Sequence, residues 1–295
     1  MDPQLYEKAL KKFPSFLRAR KNLGFVYLSL DRIQEASLSL SRAISLGEND
    51  GVTYVALGYC HLLQERYVSA ENAYRMGVLL FPESKDARNG LVNCLLSTGR
   101  YPEALALLNE LLQKDPENLY CHQARASALQ GMDRERDSAV ALETIKRMGK
   151  LNPSGYLNLG DLYHNLGLFG SSLANYELAI AKKEKLSLSR YVRVARILIR
   201  RGSYQDGFAY LGKIDQAFGN SYSNEERKDV RLLQAEVLKA TGKKETSEKI
   251  LKEIVKTNPL EGKALIMLGQ YAWQAKEHAQ ATLYFERAAK TDESK

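Results

Sequence analysis

A run of basic residues is the strongest candidate for binding chemistry in the sequence. Residues 182–201 contain one acidic residue, Glu184, and eight basic residues: Lys182, Lys183, Lys185, Arg190, Arg193, Arg196, Arg200 and Arg201. On a helix, spacings of three and four residues put Arg193, Arg196 and Arg200 on one face. Guanidinium groups bind carboxylates and phosphates through paired hydrogen bonds. The pattern predicts an anion site for an acidic peptide or a phosphate; a solvated charged face is the alternative.

The residue types that serve enzymes and metal sites do not form a known motif. The four histidines are scattered along the chain: His61, His122, His164 and His278. The sequence contains no HExxH, GxSxG or CxxC motif and no glycine-rich phosphate loop. The three cysteines, Cys60, Cys94 and Cys121, are too few for a disulfide framework and are expected to be reduced packing residues. We therefore predict a non-enzyme with no cofactor and no metal. Reduced cysteines favour a reducing compartment such as the cytoplasm, and the localisation stays open.

Length and composition describe a globular chain. The 295 residues are 44% hydrophobic and 26% charged, which argues against disorder. No apolar run approaches the roughly 18 residues of a membrane span, and the first residues lack the pattern of a signal peptide. The net charge of +8 leaves open an acidic partner, nucleic acid or an anionic surface.

The elements that must position these residues recur along the chain. A leucine followed by glycine, or once by valine, recurs along the chain, and the first three of these pairs are spaced by 34 residues: Leu23-Gly24, Leu57-Gly58, Leu91-Val92, Leu159-Gly160 and Leu268-Gly269. Each of these pairs is followed by a small residue, a large apolar residue four positions later and another residue three further on, as in Ala70, Tyr74 and Gly77. This spacing predicts a second helix with one buried face. Prolines at one phase of the period predict where that helix stops: Pro14, Pro82, Pro116 and Pro259.

The repeat resembles the tetratricopeptide repeat, a helix–turn–helix unit of 34 residues. The second copy carries the matching residues Tyr54, Leu57, Gly58, His61, Ala70, Tyr74, Gly77 and Pro82, and the last carries Leu265, Leu268, Gly269, Ala272, Ala281, Phe285 and Ala288. The resemblance implies an all-α, right-handed superhelical solenoid of tandem helix–turn–helix repeats. Residues 1–295 are predicted to form a single repeat array with a half repeat at 4–14 and repeats at 17–50, 51–84, 85–118, 119–152, 153–187, 188–227, 228–261 and 262–295.

Local signals predict how individual helices begin and end. Glycines near the ends of first helices suit a left-handed cap: Gly99, Gly167, Gly202 and Gly242. Ser223 and Glu226 have the spacing of a capping box, which predicts an early start for the following helix. In the fourth repeat, residues 132–137 predict a lengthened internal turn.

The resemblance also implies which residues meet a partner, because the first helix of each family repeat lines a concave groove. The candidate partner-binding residues are Tyr59, Asn89, Asn93, Tyr120, Gln123, His164, Arg193, Arg196, Arg200 and Trp273. Amide and tyrosine side chains can hydrogen-bond an extended peptide, and aromatic side chains supply contact area. Asn89 and Asn93, one turn apart, could clamp one peptide unit. The lysine, asparagine and arginine set of the chaperone-tail receptors is not reproduced.

We therefore predict a protein-interaction scaffold that binds a peptide or a partner surface in the groove, with an acidic segment near Arg193–Arg200. One alternative is the recognition arm of a larger enzyme or of a membrane or export complex. A second, less favoured, is nucleic-acid binding through residues 182–201, which would depend steeply on salt. Because the sequence begins half-way through a unit, we expect a piece of a longer repeat protein. Exposed terminal layers could also pair end to end.

Overall fold

A computed structural model describes residues 2–182 and 188–291, and within them all regular structure is helical. The α-helices are α1 Pro3–Lys12, α2 Leu17–Ser29, α3 Ile33–Ser45, α4 Gly51–Leu63, α5 Tyr67–Leu80, α6 Lys85–Ser97, α7 Tyr101–Lys114, α8 Leu119–Gly131, α9 Glu135–Arg147, α10 Pro153–Asn165, α11 Phe169–Ala181, α12 Leu188–Arg200, α13 Tyr204–Phe218, α14 Asn224–Ala240, α15 Lys244–Thr257, α16 Gly262–Gln274 and α17 His278–Ala288. A short 3₁₀ turn, Gly219–Ser221, follows α13. The predicted all-α repeat fold is confirmed.

The turn inside a helix pair needs one residue in the left-handed region of backbone space. The predicted glycine caps are confirmed, with φ between 73° and 87° at Gly99, Gly167, Gly202 and Gly242. At the same position, Asp31, Glu65 and Asp133 have a φ of 57°, and Lys276 has 64°. The lengthened turn predicted at 132–137 is wrong. Met132–Arg134 is an ordinary three-residue turn in which Asp133 takes the left-handed position that glycine takes in other repeats.

The chain divides into two compact units, residues 1–150 and residues 151–295, which we call unit 1 and unit 2. Unit 1 contains α1–α9 and unit 2 contains α10–α17. Each consists of helices packed on their neighbours in chain order. The prediction of one continuous array over 1–295 stays a prediction.

Unit 1 is held together by large side chains that fill gaps left by glycine. Tyr74 of α5 is buried between α4 and α6, where its ring lies against Gly58 and Gly90. Leu40 of α3 packs in the same way on Gly24 of α2. Burying a side chain of this size stabilises a fold by roughly 1.5–3 kcal/mol relative to exposure. No helix pair could cover these residues alone, so stacking of successive pairs completes the core.

Unit 2 repeats this arrangement with its own aromatic residues. The ring of Tyr176 packs on Gly160, and that of Phe285 packs on Gly269. Tyr191 and Tyr210 are almost fully buried between the helices. The predicted capping box is confirmed, since Ser223 Oγ accepts a hydrogen bond from the Glu226 backbone N–H while the Glu226 carboxylate accepts one from the Ser223 N–H.

Candidate partner-binding site

The arginines of α12 hold neighbouring helices together. Arg193 forms an ion pair with Asp161 of α10, and Arg196 lies 3.5 Å from the Asp229 carboxylate of α14. Arg190 donates to Ser154 Oγ and Asn158 Oδ1 on α10, at 2.7 and 3.0 Å. Two arginines of the basic run, Arg193 and Arg196, therefore have ion-pair partners within unit 2. The members Lys183, Glu184 and Lys185 of this run lie outside the described residues.

Arg200 lies beside an open cavity of about 290 Å³. Three helices of unit 2 supply the lining of this cavity, which we call the α12–α14 cavity: Arg196, Ile199, Arg200, Asp229, Leu232, Leu233, Glu236 and Lys263. Arg200 and Lys263 are exposed, and within residues 2–182 and 188–291 neither has an ion-pair partner. The cavity thus combines two uncompensated cations with an apolar wall. The sequence does not indicate Lys263 and Glu236 as candidate binding residues, because both are distant from the basic run along the chain.

The amide and tyrosine candidates of unit 1 contact one another. Tyr120 of α8 has its hydroxyl 2.8 Å from both the backbone oxygen of Asn89 and the side-chain Oδ1 of Asn93 on α6. Burial raises the pKa of Tyr120, so the hydroxyl keeps its proton and remains a donor. Asn93 is therefore positioned by Tyr120, with its Nδ2 group left to donate elsewhere. The predicted clamp between Asn89 and Asn93 stays a prediction.

The remaining candidates are dispersed over both units. Tyr59 of α4 is 48% exposed, and Gln123 of α8 is also exposed. In unit 2, the His164 ring meets the edge of Phe169, and Trp273 is 60% exposed with its ring 4.8 Å from that of His278. Each unit therefore presents its own candidate set: aromatic and amide groups in unit 1, mainly charged groups in unit 2.

The cysteines, His61 and His122 are packing residues, whereas His278 is exposed. Cys60, Cys94 and Cys121 are buried and free, and burial raises the pKa of Cys60 and of Cys94 to about 11. Burial, followed by the charge of Arg66, lowers the pKa of His61. His122 is buried with Nε2 2.8 Å from the Pro116 carbonyl oxygen. In the part of the chain that the structure describes, no group of three or more His, Cys, Asp or Glu side chains could hold a metal ion.

These features define a helical-repeat scaffold for protein interactions. Profiles of the tetratricopeptide repeat match residues 61–128, 153–181 and 232–294. The chain belongs to the tetratricopeptide repeat family, whose members bind protein or peptide partners. Among the described helices, none has both the length and the apolar character needed to cross a bilayer.

Known proteins share parts of this sequence or its fold. The tetratricopeptide repeat-containing protein trd-1 of Caenorhabditis elegans is 30% identical over 101 residues, which are 34% of this chain and 13% of that protein. The C-terminal part of a repeat protein from Cytophaga hutchinsonii superimposes with a TM-score of 0.68 at 13% identity, over 83% of this chain and 98% of that one. YrrB, described as having an unusual peptide-binding site, gives a TM-score of 0.51 at 14% identity, over 61% and 93% of the two chains. The two solved structures show the fold alone.

Proposed function

We propose that this chain is a non-catalytic scaffold that binds an acidic peptide segment of a protein partner at the α12–α14 cavity. The observation that carries the proposal is the pair of uncompensated cations, Arg200 and Lys263, beside one open cavity. Two cations at one site favour a carboxylate, because each offers charged N–H donors to its oxygens. YrrB supports the proposal to the extent that a chain with this fold has a peptide-binding site.

The rest of the cavity suits a peptide better than a simple ion. Ile199, Leu232 and Leu233 give an apolar wall for the methylene groups of an acidic side chain. Glu236 offers a carboxylate that could accept a peptide N–H. Arg196 also lines the cavity, where it is paired with Asp229 at 3.5 Å.

Charge reversal at the two free cations tests this proposal. The double variant Arg200→Glu, Lys263→Glu should bind an array of acidic peptides at least about tenfold more weakly than the unmodified chain, because two attractive contacts become repulsive. Binding should be measured over a salt series, and the affinity of the unmodified chain should fall as salt rises.

A matched control separates the site from the overall charge. Lys249→Glu, Lys256→Glu changes the net charge equally at two exposed lysines of α15, and acidic-peptide binding should fall far less. Equal losses in the two double variants would contradict the proposal. Stronger binding to single-stranded DNA than to acidic peptides would favour the nucleic-acid alternative instead.

A further inference from the structure

Unit 1 contains a cavity of about 340 Å³ that the proposed acidic-peptide site does not use. It lies where the start of α6 meets the end of α7 and the start of α8, and we call it the α6–α8 cavity. Its charged lining residues are three cations and two carboxylates: Lys85, Arg88, Lys114, Glu83 and Asp115. Lys114 belongs to a second helix, and the two carboxylates lie on the connections between helix pairs. None of these charged groups is among the candidate partner-binding residues of the first helices.

Arg88 is a largely buried cation without a close counter-ion. Its side chain is 15% exposed, and among the described residues its ion-pair contact is to Glu83, with 3.9 Å between Nη2 and Oε1. This distance is beyond hydrogen-bonding range, and the Glu83 side chain is itself 81% exposed. By contrast, the more exposed Arg100 contacts the carboxylates of Glu103 and Glu71 at 2.5 and 2.6 Å. Burying a guanidinium without such a partner is unfavourable unless an outside anion completes the site.

Two lysines add positive charge to the same cavity. Lys85 and Lys114 are exposed, and neither forms an ion pair with another residue that the structure describes. On the acidic side, Asp115 accepts a hydrogen bond from Asn118 Nδ2 at 3.1 Å. The exposed glutamate can turn its carboxylate towards water. The three cations therefore leave the α6–α8 cavity with an excess of positive charge.

We propose that the α6–α8 cavity binds a phosphate group, with Arg88 as the main contact and Lys85 and Lys114 as supporting cations. A phosphate monoester carries a charge of about −1.5 to −2 near pH 7 and has three acceptor oxygens. The guanidinium can donate two parallel hydrogen bonds to it, while the two lysines approach from different helices. Asn89 also lines the cavity, and its amide can donate to a remaining oxygen. A carboxylate has a single charge and two oxygens, so it would use these donors less completely.

Calorimetric titration of the full chain with inorganic phosphate tests the site. At an ionic strength held constant with chloride, the unmodified chain should bind one phosphate per chain. Arg88→Gln should bind it at least about tenfold more weakly, because the charge and the paired donors are both lost. Arg88→Lys should be intermediate, since it keeps the charge without the paired donors. Phosphate should also raise the unfolding temperature of the unmodified chain more than that of Arg88→Gln.

Variants at the exposed lysines keep the test independent of any effect of Arg88 on folding. Lys85→Gln, Lys114→Gln changes only exposed side chains and should weaken phosphate binding about tenfold. The matched control, Lys8→Gln, Lys150→Gln, removes the same charge at two exposed lysines of unit 1 that do not line the cavity, and it should leave binding unchanged. The proposal is overturned if the two double variants bind phosphate alike, or if acetate binds the unmodified chain as tightly as phosphate does.

A second probe identifies the source of the phosphate group. A short peptide with one phosphoserine is compared with inorganic phosphate and with the same peptide carrying serine. Binding of the phosphopeptide more than about tenfold tighter than inorganic phosphate would assign the site to a phosphorylated partner, and a smaller difference would assign it to free phosphate or a small phosphate ester. Failure of both probes to bind would overturn the proposal. Arg200→Glu, Lys263→Glu should leave phosphate binding unchanged, so this proposal and the proposed function can fail separately.

Discussion

At the scale of single residues, glycine sets how closely the helices approach. A Cβ atom added at Gly90 would collide with the ring of Tyr74, and one at Gly160 would collide with the ring of Tyr176. A buried tyrosine ring cannot move aside as the tip of a flexible side chain can. Glycine at these positions therefore reflects close packing, and its backbone freedom is not needed because both residues lie inside helices.

We expect Gly90→Ala to lower the free energy of unfolding by roughly 1–3 kcal/mol through overpacking against Tyr74. Gly212→Ala is the matched control, since Gly212 is exposed inside α13 with nothing within 4 Å of an added Cβ. That change should stabilise the chain by roughly 0.5–1 kcal/mol, because alanine favours helix more than glycine. Urea unfolding of both variants measures the difference, and destabilisation by both would show that packing at Gly90 is not the cause.

At the scale of the elements, the two helices of a pair begin in different ways. Five of the described first helices start with a side-chain cap whose oxygen accepts a backbone N–H: Asp50, Ser84, Asn118, Asn152 and Ser223. Helices α2 and α16, which follow Phe16 and Glu261, have no such cap. Second helices start directly from the tight turn, with no side-chain cap bond, as at Arg66 and Ser203. In that turn the Arg66 N–H donates to the His61 carbonyl oxygen, which satisfies an acceptor at the end of the preceding helix. Side-chain caps are therefore concentrated at the connections between pairs.

Two serines at equivalent positions of unit 2 test this difference. Ser223→Ala removes a working cap and should destabilise the chain by about 1 kcal/mol. Ser203→Ala removes a serine that makes no cap bond at the start of α13, and its effect should be within about 0.5 kcal/mol. Thermal or urea unfolding measures both. Equal changes in the free energy of unfolding would mean that the capping box of α14 does not stabilise the chain.

At the scale of the whole molecule, each helix contacts mainly its neighbours in chain order. The core clusters around Tyr74 and around Leu251 draw their residues from adjacent helix pairs of one unit. In such repeat proteins, stability approximates a sum of contributions from repeats and from the interfaces between neighbours. A destabilising substitution in one helix should therefore affect only that helix and the helices packed against it.

Hydrogen exchange can measure how far along the chain the effect of a substitution extends. In Gly90→Ala, exchange should become faster in the helices that pack around the displaced Tyr74 ring, α4, α5 and α6, because local opening follows local contacts. Exchange in α14–α17 should stay as in the unmodified chain. Mass spectrometry of peptic fragments gives the comparison, and a uniform increase along both units would show one cooperative structure in place of a sum of neighbours.

The sequence by itself determined the features that depend on short stretches of chain. Periodic apolar residues identify the paired helices, the glycines Gly99, Gly167, Gly202 and Gly242 identify left-handed turns, and Ser223 with Glu226 identifies a cap. Each depends on residues a few positions apart, so local stereochemistry is enough. Asp133 shows the limit of such signals, since a less common residue occupies the position of the expected glycine.

Only the tertiary structure decided which side chains remain available to a partner. The spacing of Arg193, Arg196 and Arg200 predicted one basic face, yet the first two are paired with Asp161 and Asp229. Lys263, distant in sequence, joins Arg200 at one cavity. Asn93, predicted to clamp a peptide, is held by Tyr120 from the next helix pair. Ion pairs and hydrogen bonds between repeats join residues about 30 positions apart, and periodicity within one helix carries no information about them.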